Sequence, residues 1–177
     1  PALAYDTPNP EGGGTQNYDD AFVCNGALDR YDWKLVGKKE MYIPYNAYDI
    51  TYNPDAKSYV TPNFVNPDHL RWEKHRVWVV EANLKPGKRH VYARRTFYLD
   101  EDSWRAIASD EYDGNGELYR GGFAHGSVDW YNRTGAGSGV IYDLIAGRYN
   151  ASGIFGPFGG IKQIKPLSNA QWSPESL

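Results

Sequence analysis

Arg71-Trp-Glu-Lys-His-Arg-Val-Trp-Val-Val-Glu-Ala-Asn-Leu84 is rich in tryptophan and valine and ends at the turn signal Lys85-Pro-Gly-Lys88. His90-Val-Tyr-Ala-Arg-Arg-Thr-Phe-Tyr-Leu99 is a second extended run, Asp100-Glu-Asp-Ser103 a second turn, and Trp104-Arg-Ala-Ile-Ala-Ser-Asp-Glu-Tyr-Asp113 a third run. Aromatic and β-branched residues suit a pleated, half-buried surface, and Pro-Gly and acidic clusters suit turns. Three such runs joined by short turns predict an antiparallel meander.

Pairing Leu84 with Arg89 and Leu99 with Trp104 divides the meander into two faces by alternation. One face carries Trp78, Val80, Ala82, Leu84, Val91, Ala93, Arg95, Phe97, Leu99, Trp104, Ala106 and Ala108. The other carries Glu81, Asn83, His90, Tyr92, Arg94, Thr96, Tyr98, Arg105, Ser109 and Glu111 and is expected to meet solvent. The first face is apolar, yet its middle is paved with alanines. Small residues leave either a hollow or room for a helix to lie close. Arg95 stands in that apolar field, and a buried guanidinium needs a partner, so it either pairs with Asp110, one rung away, or awaits an anionic group. A hollow with apolar walls and one fixed charge would suit the tail and head of an amphiphile; a helix on the alanine floor explains the same residues, and the two coexist if the helix is a lid.

Outward from the meander, Trp33 to Pro44 reads as extended with a break at Gly37, and 45–70 as loop, broken by Pro54, Pro62 and Pro67, with one helical turn after Asn66. Further strands are expected at 117–132 and 139–149, and Gly135-Ala-Gly-Ser-Gly139 reads as a turn. Residues 1–20, with Pro8, Pro10 and Gly12 to Gly14, read as a surface arm or linker, and 21–32 as room for a short helix. The domain proper is then 21–177. The tail Ser173-Pro-Glu175 resembles a helix start.

The chain has 177 residues, a net charge of −3 and 15% aromatic residues, which fits one ordered domain and gives no basic face for nucleic acid. No stretch approaches the roughly 18 apolar residues of a membrane-spanning helix. Cys24 is the single cysteine, read as a small, partly buried hydrophobe or as a bridge to another segment. The start at Pro-Ala-Leu-Ala-Tyr, without an initiator methionine or signal peptide, reads as processed or truncated.

No catalytic or metal motif emerges. His69, His75, His90 and His125 lack zinc-helix spacing, Cys-x-x-Cys and Gly-x-Ser-x-Gly are absent, and the glycine-rich segments lack the Lys-Ser/Thr of a P-loop. Asp100, Glu101 and Asp102 cluster in a turn, where a calcium site is the lesser reading. Asn132 and Asn150 head glycosylation sequons, a pattern common by chance.

Three stretches, Asp29-Arg-Tyr-Asp-Trp-Lys-Leu-Val-Gly-Lys-Lys-Glu-Met-Tyr-Ile-Pro-Tyr45, His75-Arg-Val-Trp-Val-Val-Glu-Ala-Asn-Leu-Lys-Pro-Gly-Lys-Arg-His90 and Tyr92-Ala-Arg-Arg-Thr-Phe-Tyr-Leu-Asp-Glu-Asp-Ser-Trp104, resemble the domain of unknown function 1329 family. The likeness runs from about Asp19 to the end. It implies an exported, Gram-negative protein made with a signal peptide, more than twice this length, of which this chain is the C-terminal part. It also implies a curved antiparallel half-barrel of the LolA/LolB type, with helices in the concave side where such carriers hold acyl chains, and genes neighbouring hydrophobe exporters. The family supplies no catalytic residues. The resemblance favours the alanine-bearing face as the concave one, and a companion chain or homodimer mate as the supplier of the rest.

The expectation is a mainly β, curved antiparallel sheet with few short helices. Its function is expected to be non-enzymatic: a periplasmic or outer-membrane-associated carrier of a lipid-like ligand, without cofactor or metal. The ligand residues would be Trp78, Val80, Ala82, Ala93, Arg95, Phe97, Trp104, Ala106 and Ala108. The alternatives are an adaptor that binds an envelope protein such as an exporter and, less favoured, a hydrolase using two carboxylates.

Overall fold

Seven strands follow one another in chain order in a single antiparallel, unclosed sheet: β1 (Tyr31–Pro44), β2 (Trp72–Leu84), β3 (Arg94–Asp100), β4 (Ala106–Tyr112), β5 (Leu118–Asp129), β6 (Thr134–Asp143) and β7 (Arg148–Ser152). The computed structural model describes residues 4–129, 134–160 and 165–173. The sequon at Asn132 and the residues after Ser173 lie outside them. Mainly β architecture with few short helices is therefore what the sequence predicts and what the chain adopts. Gly37 makes the expected break as a bulge in β1, where the pairing steps from Leu35–Val80 to Gly37–Val79.

The register differs from the simple hairpin reading in two ways. Residues 85–93 form a loop, so Asn83 pairs with Arg94 and Ala82 with Arg95. This slides β3 along β2 without exchanging its faces. A bulge between β3 and β4 has a larger effect: Leu99 pairs with Ala106, but Tyr98 pairs with Ala108 and Arg95 with Glu111. One extra residue reverses the faces of everything after it. Ser109 and Glu111 therefore share the face of Arg95, while Ala108 and Asp110 turn to the other side, where Asp110 accepts the Tyr98 hydroxyl at 2.6 Å. The expected Arg95–Asp110 pair is not formed.

Each face has its own cover. Residues 45–70 lie on the face of Tyr98 and Ala108, carrying the short helices α1 (Tyr48–Tyr52) and α2 (Ala56–Tyr59). Ala47, Ile50, Tyr59 and Val65 pack there on Val140 of β6. At the end of β1 the sheet curls toward this same face, because Ile43 reaches Val77 and Ile107, and the Ala47 amide donates to the Gly126 carbonyl on β5 at 2.9 Å. The other face, expected to line the concavity, is the one on which residues 4–28 lie.

That N-terminal segment is not a surface linker. It forms three single 3-10 turns, at Pro10–Gly12, Tyr18–Asp20 and Leu28–Arg30, and it buries Thr15, Asn17, Asp19, Asp20 and Val23. Val23 joins Tyr31, Ala82, Phe97 and Ala124 in one core cluster. What occupies the space above Ala82 is thus the chain's own arm. The glycine-rich run 135–139, expected to be a turn, is part of β6 and pairs along β5 from Val128–Gly135 to Ala124–Gly139.

Ile50 is fully buried against the sheet. Ile50→Ala is expected to cost about 2–5 kcal/mol in urea unfolding, the usual range for such a truncation. A loss below about 1 kcal/mol would mean that residues 45–70 are a loosely held cover.

Candidate functional site

Arg95 organises the buried side of the arm face. Its Nη1 donates to Asp19 at 2.7 Å, and its Nη2 donates to Asp20 at 2.9 Å and to Glu111 at 2.7 Å. Glu111 arrives from the neighbouring strand because of the β4 bulge. Asp19 and Asp20 arrive from the arm, on a turn held by the Asn17 amide, which donates to Asp20 Oδ2 at 2.7 Å. The Tyr92 hydroxyl donates to Asp20 at 2.8 Å and accepts from Arg120 at 2.9 Å. Arg120 also donates to the Gly14 carbonyl at 3.0 Å and lies 3.7 Å from Asp143. His90 Nε2 lies 3.0 Å from Asp19.

Two guanidiniums thus face the carboxyls of Asp19, Asp20, Glu111 and Asp143, an excess of acid in a space closed to water. Burial first, then the charges of Glu111 and Asp19, push the Asp20 carboxyl up to about 8 against the pull of Arg95. The same acidic surroundings hold Arg95 well above its ordinary value despite its burial. That shift favours keeping a proton in the cluster, which lowers its excess negative charge.

Immediately beyond this clasp the arm is strained. Phe22 and Val23 have φ of 55° and 72°, the left-handed region that costs bulky residues about 1–3 kcal/mol each. They roof a cavity of about 250 Å³. Ala124 and Gly139 supply small wall residues, Ile141 and Phe155 close its sides, and Asp20 and Arg105 are its ionisable groups. Phe22 itself is 81% exposed, standing over the opening rather than filling it. Small residues do leave a hollow, but over β5 and β6 rather than over the alanines of β2 to β4.

None of the nine residues expected to bind ligand lines this cavity. Arg95 and Phe97 edge a crevice of about 20 Å³ beside Cys24 and Trp33. Ala82 is fully buried, Ala106 packs on the core around Phe97, and Ala93 sits just before β3 with its amide on the Tyr112 carbonyl. Val80 pairs with Phe97. Trp78 stacks on the exposed Trp104 with centroids 6.5 Å apart, and the Lys38 ammonium lies 4.1 Å from the Trp78 ring. Ala108 is on the opposite face. His90, Tyr92, Ser109 and Glu111, expected in solvent, belong to the buried polar cluster or its border. Sequence reasoning missed Gly139 and Phe22, although Gly135 to Gly139 carried the same small-residue signal that was read on the alanines.

Among the described residues, one grouping has metal-ligand geometry: His75, Asp100 and Asp102. It is built as a turn brace. Asp100 accepts the Ser103 amide at 2.8 Å and lies 3.1 Å from His75 Nδ1, while Glu101 turns away to Lys38 and Arg76. Burial pushes the Cys24 thiol up, which leaves it an inert hydrophobe.

The whole chain, residues 1–177, matches the family described as Protein of unknown function (DUF1329). The chain belongs to that family. An uncharacterized protein of Pseudomonas aeruginosa, PA3922, is 46% identical over 162 residues, which cover 87% of this chain and 34% of that protein. The chain thus spans about a third of that relative's length. Among solved structures, a domain from Vibrio parahaemolyticus named, provisionally, for outer membrane lipoprotein sorting aligns with a TM-score of 0.54 at 12% identity, covering 98% of this chain and 58% of that one. A LolA superfamily protein from Nitrosomonas europaea, NE2245, aligns with a TM-score of 0.47 at 9% identity, over 99% of this chain and 61% of that one. The fold is the one seen in the Vibrio domain.

Arg95→Met would strand Asp19, Asp20 and Glu111 without their cation and is expected to cost about 3–5 kcal/mol in chemical denaturation. A loss near zero would show that the clasp does not hold the arm.

The raised carboxyl of Asp20 gives a pH signature. Between its ordinary 3.8 and about 8 the folded chain keeps a proton that the unfolded chain releases, so this stabilising contribution falls as pH rises through that window. His125, pushed down to about 4 by burial, acts oppositely and loses stability as pH falls below 6.5. Between about pH 6.5 and 8 the wild type is expected to lose stability with rising pH, and Asp20→Asn to flatten the slope in urea titrations. Equal slopes in the two proteins would refute the assignment.

Proposed function

We propose that this chain is the ligand-bearing part of a non-enzymatic envelope protein, periplasmic or outer-membrane-associated, that binds or carries a lipid-like molecule. The observation that carries this reading is the cavity between the arm and β5–β6. It is walled mainly by apolar atoms, open to one side, and roofed by a strained, exposed phenylalanine. Its volume of about 250 Å³ is just below the range of roughly 300–1,000 Å³ usual for ligand sites. That suits the end of one acyl chain, or a larger group once Phe22 moves aside. The fold shared with the lipoprotein-sorting-named domain supports the same reading.

A second reading rests on a different surface. Among the described residues the outer edge of β1, a strand of 14 residues, has no partner strand, and Trp33, Leu35 and Val36 of that strand are exposed. Natural proteins seldom leave a long edge bearing apolar residues uncovered. An envelope protein, a companion segment or a second copy would fit there, and carrier and adaptor roles are compatible in one molecule.

Gly139→Leu tests the carrier reading, because Gly139 lines the cavity and a Cβ there would meet only the Ser152 hydroxyl at 3.6 Å and the Phe123 carbonyl at 3.7 Å, ordinary contacts that admit a larger side chain into the space. Native mass spectrometry and solvent extraction of the full-length protein are expected to find a bound amphiphile in the wild type and none in Gly139→Leu. Wild type that neither retains nor takes up an amphiphile would sink the carrier reading, and co-purification of a protein partner alone would favour the adaptor.

A further inference from the structure

The cavity contains one cation whose side chain is not spoken for. Arg105, at the start of β4, lines the cavity under the arm and a second, smaller one of about 110 Å³ beside Tyr45, Ile107 and Val128. Its guanidinium lies directly on β5 at Gly126, where a Cβ would come within 2.7 Å of Nη1. Glycine at that position is what lets the planar group rest on the strand between the two apolar spaces. Among the described residues, the Arg105 side chain makes no hydrogen bond or ion pair. Its cationic neighbours in the sheet are all occupied: Arg95 and Arg120 by the clasp, Arg94 by the Tyr112 ring at 3.5 Å, and Arg76 by Glu101 at 2.7 Å.

We propose that Arg105 is the head-group anchor of the cavity, so that the ligand is an anionic amphiphile with a carboxylate or phosphate head and an apolar chain. The proposal rests on the carrier reading and deepens it. Arg105 is half-buried, with its guanidinium nitrogens still open to water, so an anion can reach them, and the fork of donors matches carboxylate and phosphate oxygens two at a time. The chain then runs from Arg105 along Ala124 and Gly139 beneath Phe22. Asp20, the carboxyl lining the cavity, is turned to the chain's own donors: it accepts from Arg95, the Tyr92 hydroxyl and the Asn17 amide. Arg95, the anion receptor expected from the sequence, is already filled by the chain's own carboxyls.

Binding of decanoate, decyl phosphate, decanol and inorganic phosphate to the full-length protein, measured by calorimetry, tests this. Wild type is expected to bind the two anionic amphiphiles about ten-fold or more tighter than decanol, and inorganic phosphate not measurably. Arg105→Gln is expected to bind all three chains alike, with the decanol affinity unchanged, and Arg105→Lys to keep part of the preference. Unchanged decanol binding in Arg105→Gln also shows that the variant is folded. Equal wild-type affinity for decanoate and decanol, or an anion preference that survives Arg105→Gln, would overturn the anchor while leaving the carrier reading intact. Phosphate binding as tightly as decyl phosphate would make the site a plain anion site and overturn the amphiphile. If none of the chains binds to wild type, the carrier reading falls and the anchor with it.

Discussion

A guanidinium in an apolar field cannot shed its charge, and the structure around Arg95 is arranged to answer that constraint. Its three anions come from two places in the chain: Glu111 from the adjacent strand, and Asp19 and Asp20 from an arm more than seventy residues upstream. The bulge before Ala108 is needed to present Glu111, and the arm must lie flat to present the aspartates. Once the arm is fixed there, its next residues are forced through the left-handed conformations of Phe22 and Val23. The ion cluster therefore holds the roof of the cavity in place and meets the cavity through Asp20.

The two faces of the sheet are covered by different means. Residues 45–70 cover one face by burying Ile50, Tyr59 and Val65, a non-directional contact proportional to area. The arm covers the other through charge-assisted hydrogen bonds, with Val23 as its main apolar contact in that cluster. Apolar packing tolerates small shifts, whereas a network of short bonds to one guanidinium is either made or broken. The cavity lies under this cover rather than under the helices.

The surface left over has its own logic. Trp33, Leu35 and Val36 are exposed on β1, beyond which the sheet has no further strand among the described residues. The Pseudomonas relative is about three times as long as the span it shares with this chain. The cavity does not depend on that edge: its walls come from the arm, β5, β6 and the segment after β7.

The meander from Trp72 to Tyr112, the break at Gly37, the absence of a long helix and the family membership could all be read from local pattern, because alternation, turn chemistry and motif likeness are properties of neighbouring residues. Even the principle that small residues leave space, and that a lone arginine in an apolar setting needs an anion, came from the sequence. Which small residues and which arginine was decided by tertiary structure. One bulged residue reversed the faces beyond Leu99, and the arm, with no strand or helix pattern of its own, folded back to fill the alanine floor and satisfy Arg95. That left the hollow over Gly139 and the unpaired charge at Arg105. Register and long-range ion pairing depend on residues distant in the chain, so no local reading of the sequence could assign them.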